Sequence, residues 1–351
     1  MVLKSGCNAD AYLYNPDATV DWEDVFSLEC FVEEEECCPI CLMKHSVPRA
    51  ARCGHIFCCA CVMYYLRSRG DDWAKCPICG EYIDIPSLRP VKVLPPRPSP
   101  QEGAVFTMHL VARYRNVVNG FCADRDDLEQ LLLHPLPYAD APEDEKSFCH
   151  LLRYSFQYEY DLLKQDLLEL DQSETSMNMI GEVLFLNTLK TLRRTLRASL
   201  ETLEPYLPKT PMSSSTSTKL LSFATHPLKE AEAGDLLFYY SHPTLLSFHL
   251  HPFNLKCLRS QYGDYCDLPM TVTSTVVQVE DAEVMMGKFR DPTLHHLPSS
   301  TPMNYVELDV KPLLIGRLDE KLWKEVKERE ATRRRQQRHM KREERRIDVG
   351  D

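Results

Sequence analysis

The reading turns on C-P-I-C at Cys38–Cys41, C-G-H-I-F-C-C-A-C at Cys53–Cys61 and C-P-I-C at Cys76–Cys79. Eight sulfur and imidazole donors fall into four pairs: Cys38/Cys41, Cys53/His55, Cys58/Cys61 and Cys76/Cys79. Zinc takes four N or S ligands at tetrahedral corners, and a C-x-x-C turn sets two thiolates on one ion. Eight donors therefore specify two closed structural Zn2+ sites, with no coordination position left for a substrate.

Nine of the chain's fifteen cysteines lie between Cys37 and Cys79. That clustering fits zinc in a reducing compartment better than a disulfide framework. The scattered thiols Cys7, Cys30, Cys122, Cys149, Cys257 and Cys266 read as buried or inert. The N-terminal M-V-L-K-S-G-C-N-A-D is too polar for a signal peptide, and no run approaches the ~18 apolar residues of a membrane span. The expected location is cytoplasm or nucleus, with no membrane partner.

The donor order is C-x2-C, x11, C-x-H-x2-C-x2-C, x14, C-x2-C, the spacing of a C3HC4 RING finger. In a RING the pairs interleave: Cys38, Cys41, Cys58 and Cys61 hold one ion, and Cys53, His55, Cys76 and Cys79 hold the other. Cys37, Cys59 and His45 lose on spacing and read as bystanders. Two ions then replace a core too small to fold alone, each worth on the order of 10–16 kcal/mol in small fingers.

Resemblance to RING fingers implies more. The apolar tips of the zinc turns and the helix-length V-M-Y-Y-L-R-S-R segment make a shallow patch for a ubiquitin-conjugating enzyme (E2) carrying ubiquitin. By position, Ile40, Tyr65, Pro77 and Ile78 form it. Trp73 is either a fifth member or packs over the second zinc site. The bland alternative for the whole patch is packing within a miniature core. Many active RING ligases place Arg or Lys just after the last ligand; here that residue is Gly80.

The remaining chain reads as α+β and multidomain. Residues 1–36 form an N-terminal flank packing on the RING at 37–91, with a solvated acidic run at Glu33–Glu36. A Pro-rich linker follows at 92–103. A β-hairpin at 104–122 has its turn near Arg115 and Asn116. Apolar spacing predicts a helical hairpin at 143–204, from helices at Glu143–Asp171 and Asn178–Leu203. A linker at 205–219 leads to a small, mostly antiparallel β-domain at 235–316, which also recruits the hairpin at Val105–Phe121. His242, His249, His251, His295 and His296 lack any supporting Cys or carboxylate spacing and read as strand and loop histidines.

A long basic helix ends the chain at 317–347, anchored by Leu318, Leu322, Trp323 and Val326. The formal charge is −11, yet from Ala331 onward eight Arg and Lys face four Asp and Glu, a net +4. An acidic body with a basic tail suits one local contact with an anionic partner, and excludes a general DNA-coating protein. No aromatics interleave the tail, so base stacking there is not indicated.

The chain resembles the RING-finger protein ten family of ubiquitin ligases. N-P-D-A-T-V-D-W at Asn15–Trp22, the zinc stretch, F-Y-Y at Phe238–Tyr240 and L-H-P-F-N-L-K-C-L at Leu250–Leu258 carry the likeness. H-L-P at His296–Pro298 and K-R-E-E-R-R-I-D at Lys341–Asp348 extend it; residues 123–218 do not match. The resemblance implies a RING-type E3 ubiquitin transferase acting on proteins of the small ribosomal subunit, without a covalent ubiquitin intermediate and without a cation at Gly80. Two other readings stand beside it: a non-catalytic zinc adaptor, motivated by Gly80, and an RNA- or ribosome-binding protein, motivated by the tail.

Overall fold

The computed structural model describes residues 1–31, 37–69, 73–94, 99–124, 126, 128–177, 183–207, 236–243, 245–284 and 292–347. The acidic run at Glu33–Glu36, positions 95–98 of the Pro-rich linker and positions 208–219 of the second linker lie outside the described residues.

The first elements are β1 (Val2–Leu3), α1 (Asp10–Leu13), β2 (Val25–Phe31), β3 (Pro48–Ala50), β4 (Ile56–Cys58), α2 (Cys59–Ser68), β5 (Trp73–Lys75), β6 (Tyr82–Asp84) and β7 (Arg89–Leu94). Then come β8 (Val105–Tyr114), β9 (Phe121–Cys122), α3 (Leu128–Leu133), α4 (Glu143–Lys146), β10 (Leu152–Arg153), α5 (Phe156–Met177) and α6 (Val183–Leu203). The last are β11 (Leu236–Ser241), β12 (Phe248–Leu250), α7 (Pro252–Tyr262), β13 (Thr271–Glu283), β14 (Pro302–Leu308) and α8 (Glu320–Ile347).

One sheet runs in the order β10-β1-β2-β7-β3-β4. It carries the N-terminal flank and the zinc module on one hydrogen-bonded surface, because β7 pairs in parallel with β2 and antiparallel with β3. Trp22 ties the same seam: its indole Nε1 donates to the Ser87 carbonyl (2.6 Å), and its own carbonyl accepts from Arg89 (3.3 Å).

A second set of strands closes on itself. β11 pairs with β12 and β8, β12 with β14, β14 with β13, and β13 with β8. The result is a small five-stranded barrel, with β9 added to β8. Closure removes exposed strand edges. The alternation T-V-T-S-T-V at Thr271–Val276 sends Val272, Ser274 and Val276 inward and the threonines to solvent, as a half-buried strand requires. α7 starts where His251 Nδ1 accepts the Phe253 amide (3.0 Å) and Pro252 occupies the first turn.

α5 and α6 lie against the zinc module. Leu170, Phe185, Leu189, Leu192 and Leu196 share one apolar cluster with Phe57, Val62, Leu66 and Ile83 of the module. The leucine spacing of α6 thus has a partner in the RING itself. Its opposite face carries Lys190, Arg194 and Arg197 to solvent.

Three expected elements differ from what forms. Lys92–Leu94, read as the start of the Pro-rich linker, complete β7 and pair with Glu29–Phe31 of β2. Glu143–Asp171 is not one helix: α4 stops at Lys146, β10 intervenes, and α5 begins at Phe156. The apolar residues read as one stripe are divided among separate clusters: Phe148 beside Val111 and Tyr239, Leu151 beside Leu3 and Leu13, Leu152 beside Val2. Backbone pairing with the N-terminus wins there, through Leu152 N–H to the Met1 carbonyl (2.9 Å) and Tyr154 N–H to the Leu3 carbonyl (3.1 Å). In the hairpin at 104–122, Val117 and Val118 leave the strand. The Val118 amide donates to Leu13 (2.9 Å), and the Asn119 side chain donates to Pro135 and Leu151.

Candidate zinc module and docking surface

The donors assemble in two groups, Cys38/Cys41/Cys58/Cys61 and Cys53/His55/Cys76/Cys79, with the donor atoms of each group within 4.8 Å of one another. This is the interleaved pairing the spacing requires. Tetrahedral ligands about 2.3 Å from one zinc stand about 3.8 Å apart. Cys41 Sγ and Cys58 Sγ are 3.9 Å apart, and Cys76 Sγ and His55 Nδ1 are 3.7 Å apart.

The backbone prepares both sites. Amides of Ser46 and Cys58 donate to the sulfurs of Cys58 (3.2 Å) and Cys38 (3.4 Å). Gly54, at φ +87°, turns the chain between Cys53 and His55. Hydrogen bonds to Cys38 push the Cys58 and Cys61 thiols far up, and contacts from Cys58 and Cys61 hold Cys38 far down. Thiols this close cannot all ionise side by side; a divalent cation stabilises the four thiolates together. The donor set therefore fits zinc, which supplies folding energy and fixed geometry at both sites.

The bystanders stay out of both groups. Cys59 is buried beside Met63, and His45 Nε2 bonds the Ile56 carbonyl (3.2 Å). A third set of possible donors, His251, Glu280 and Glu307, has ligand atoms equally close. Arg329 and Arg333 already neutralise Glu307, at 2.7 and 2.6 Å, so that set is charge-balanced without a metal.

Of the residues placed in the docking patch, Pro77, Ile78 and Trp73 are exposed, and Ile40 and Tyr65 are half-buried against the module's core. The Tyr65 hydroxyl donates to the Lys75 carbonyl (2.8 Å), fixing the ring of α2 against the β5–β6 hairpin. Trp73 meets Tyr82 edge to face, with centroids 5.3 Å apart. Leu42 is 77% exposed and Met43 is exposed beside it on the first zinc turn; the sequence reading passed over both, because they follow the C-P-I-C tip. The two zinc turns have the same form. Leu42 N–H donates to the Cys38 carbonyl (2.8 Å) and Gly80 N–H to the Cys76 carbonyl (3.0 Å), with φ of 58° and 80°.

A set of ties to the rest of the chain escaped the sequence reading. Arg49 donates to Asp166 of α5 inside the protein, and the Val47 amide donates to Glu169 (3.0 Å). Tyr64 of α2 meets Phe185 of α6 edge to face (5.7 Å). No local pattern announces partners more than a hundred residues apart.

Residues 38–84 match the C3HC4-type zinc finger (RING finger) family. Over 350 residues the chain is 22% identical to the E3 ubiquitin-protein ligase MAG2 of Saccharomyces cerevisiae, covering 90% of this chain and 50% of that protein. It is 20% identical to a RING finger protein of Schizosaccharomyces pombe, covering 94% and 55%. A shorter stretch of 91 residues is 35% identical to the human E3 ubiquitin-protein ligase TRIM22, covering 22% of this chain and 18% of that protein. The chain spans about half the length of the two yeast relatives it matches. Residues 38–84 are a C3HC4 RING finger built on two structural zinc sites.

Proposed function

We propose that this chain is a RING-type E3 ubiquitin ligase. The observation that carries the reading is the pair of interleaved zinc sites with exposed apolar side chains on their turns, Leu42 and Ile78. Likeness to relatives named as E3 ubiquitin-protein ligases supports it.

The RING docks an E2 carrying ubiquitin on Ile40, Tyr65, Trp73, Pro77 and Ile78, and holds the thioester in a reactive orientation. A substrate lysine amine attacks the thioester carbonyl; the C–S bond breaks and the E2 cysteine leaves. The zinc-site cysteines are ligands, so ubiquitin never becomes bound to them. An E2 panel tests this: wild type accelerates thioester discharge for at least one E2, and discharge by none refutes it.

Substrates on the small ribosomal subunit are the finer part of the proposal, with α8 as the contact. Arg329 and Arg333 are engaged by Glu307, while Arg334, Arg335 and Arg338 are exposed further along. A row of exposed guanidiniums suits an rRNA-rich surface. Salt-sensitive co-sedimentation with small subunits, lost on deleting Ala331–Asp351, is the expected result; unchanged sedimentation overturns it.

A further inference from the structure

A cleft of about 500 Å³ opens beside β1 and shares no residue with the zinc module. Three segments build it. β1 and the turn after it form one wall, β10 lies parallel to β1 with Leu3 opposite Arg153, and Arg153 N–H donates to the Pro137 carbonyl (2.8 Å) beside Tyr138. Its walls hold two cations, Lys4 and Arg153, two hydroxyls, Ser5 and Ser155, and the rings of Tyr138 and Phe156; among the described residues no carboxylate lines it.

The cations and rings are arranged together. The Arg153 guanidinium lies over the Tyr138 ring, 5.4 Å from its centroid. Phe156 stacks on Tyr206 with centroids 5.2 Å apart and planes 18° apart. The row runs inward through Tyr154 to Phe26. Tyr138, Phe156 and Tyr206 are 51%, 45% and 64% exposed. Large rings left in water next to one another mark a contact surface rather than a core.

Charge selects the partner. In a chain of net −11, Lys4 and Arg153 make no ion pair among the described residues. Two carboxylates near the cleft are already engaged: Asp24 accepts from Tyr12 (2.7 Å) and Glu159 from Tyr154. Flat rings for bases, cations for phosphates and hydroxyls for sugar or base edges are the recurring parts of single-strand recognition. We propose that this cleft binds single-stranded nucleic acid. Bases stack on Tyr138 and on the Phe156–Tyr206 column, and Lys4 and Arg153 hold the phosphates. The site shares no residue with the E2 surface or the tail.

The test is fluorescence anisotropy of the full chain with labelled oligouridine and oligodeoxythymidine of about twelve nucleotides, a length within the usual single-strand site size. Wild type is expected to bind, with Tyr138→Ala and Phe156→Ala each weakening binding about tenfold. Arg153→Gln is expected to lower the salt slope by about 0.7. All three residues are exposed, and unchanged E2 discharge by the same preparations certifies their fold. Tighter binding of the RNA oligomer names RNA as the ligand; equal binding names the chemistry the two share, and either result supports the site. No binding of either oligomer overturns the proposal, as does binding that all three variants leave unchanged. Capture of an acidic or phosphorylated peptide in place of both oligomers assigns the cleft to a protein and also overturns it.

Discussion

Arg49 and Asp166, 117 residues apart in the chain, form an ion pair buried between the zinc module and α5. Burial pushes the Asp166 carboxyl up although Arg49 draws it down, while nearby carboxylates and Cys59 outweigh burial and hold Arg49 protonated. We take the pair as ionic, because arginine does not shed its proton in proteins and a lone buried guanidinium is the costlier state. Removing one partner leaves a buried charge uncompensated. Asp166→Ala is expected to destabilise the chain by roughly 3–5 kcal/mol, and Arg49→Met with Asp166→Leu to recover most of that. Urea unfolding of wild type and the two variants checks it.

The RING core continues into α6, so its zinc also supports the helices. Chelation is expected to release two ions per chain and to collapse hydrogen-exchange protection across α2. Protection should then fall along Leu189, Leu192 and Leu196, which pack on that module. Metal analysis with exchange mass spectrometry reads both. Release of two ions with α6 protection intact would show that the helices stand alone.

Gly80 bears on activity through its backbone. A Cβ there meets no atom within 4 Å, so the constraint is the positive φ and not space. Leu42 shows that the matching turn tolerates a side chain in that conformation. Gly80→Arg is expected to cost about 1 kcal/mol of stability and to raise E2 discharge several-fold. Discharge rates of the two proteins decide it.

Docking of α8 should weaken in acid. Burial pushes the Glu307 carboxyl up, but hydrogen bonds from Arg329 and Arg333 outweigh it and hold it below its ordinary 4.5. Burial and Arg329 hold His251 below 6.5, despite Glu280 and Glu307. A depressed pKa contributes stability above the unfolded value that is lost as pH falls through the folded one. Protection of α8 is therefore expected to fall from about pH 6.5 through His251, then again below about pH 4.5 through Glu307. Glu307→Gln should lower protection at neutral pH and remove the second step. Hydrogen exchange from neutral pH down to about pH 3, below the ordinary carboxylate range, measures this.

What the sequence made legible was local chemistry. Four ligand pairs at fixed spacing mark two zinc sites, because a metal needs its donors at short, set intervals. Apolar spacing at Asn178–Leu203 marked the helix that forms as α6, for an equally local reason. In the misread stretch from Phe148 to Leu152, Leu151 and Leu152 pack on the N-terminal segment and Phe148 on the barrel strands β8 and β11. Its apolar residues face separate clusters, and no period records that. Arg49–Asp166, Arg329–Glu307 and Phe156–Tyr206 were illegible for the same reason, since each depends on where distant segments come to rest.

The most direct test of the ligase reading is single-turnover discharge of E2–ubiquitin thioesters onto free lysine, with purified wild type, Ile78→Ala and Ile40→Ala. Ile78 is exposed, so its replacement probes docking with little effect on packing; Ile40 is half-buried, so its loss should show in both. The expected result is faster discharge with wild type for at least one E2, and most of that acceleration lost in each variant. Absence of acceleration with every E2, or acceleration unchanged in both variants, would contradict the ligase mechanism.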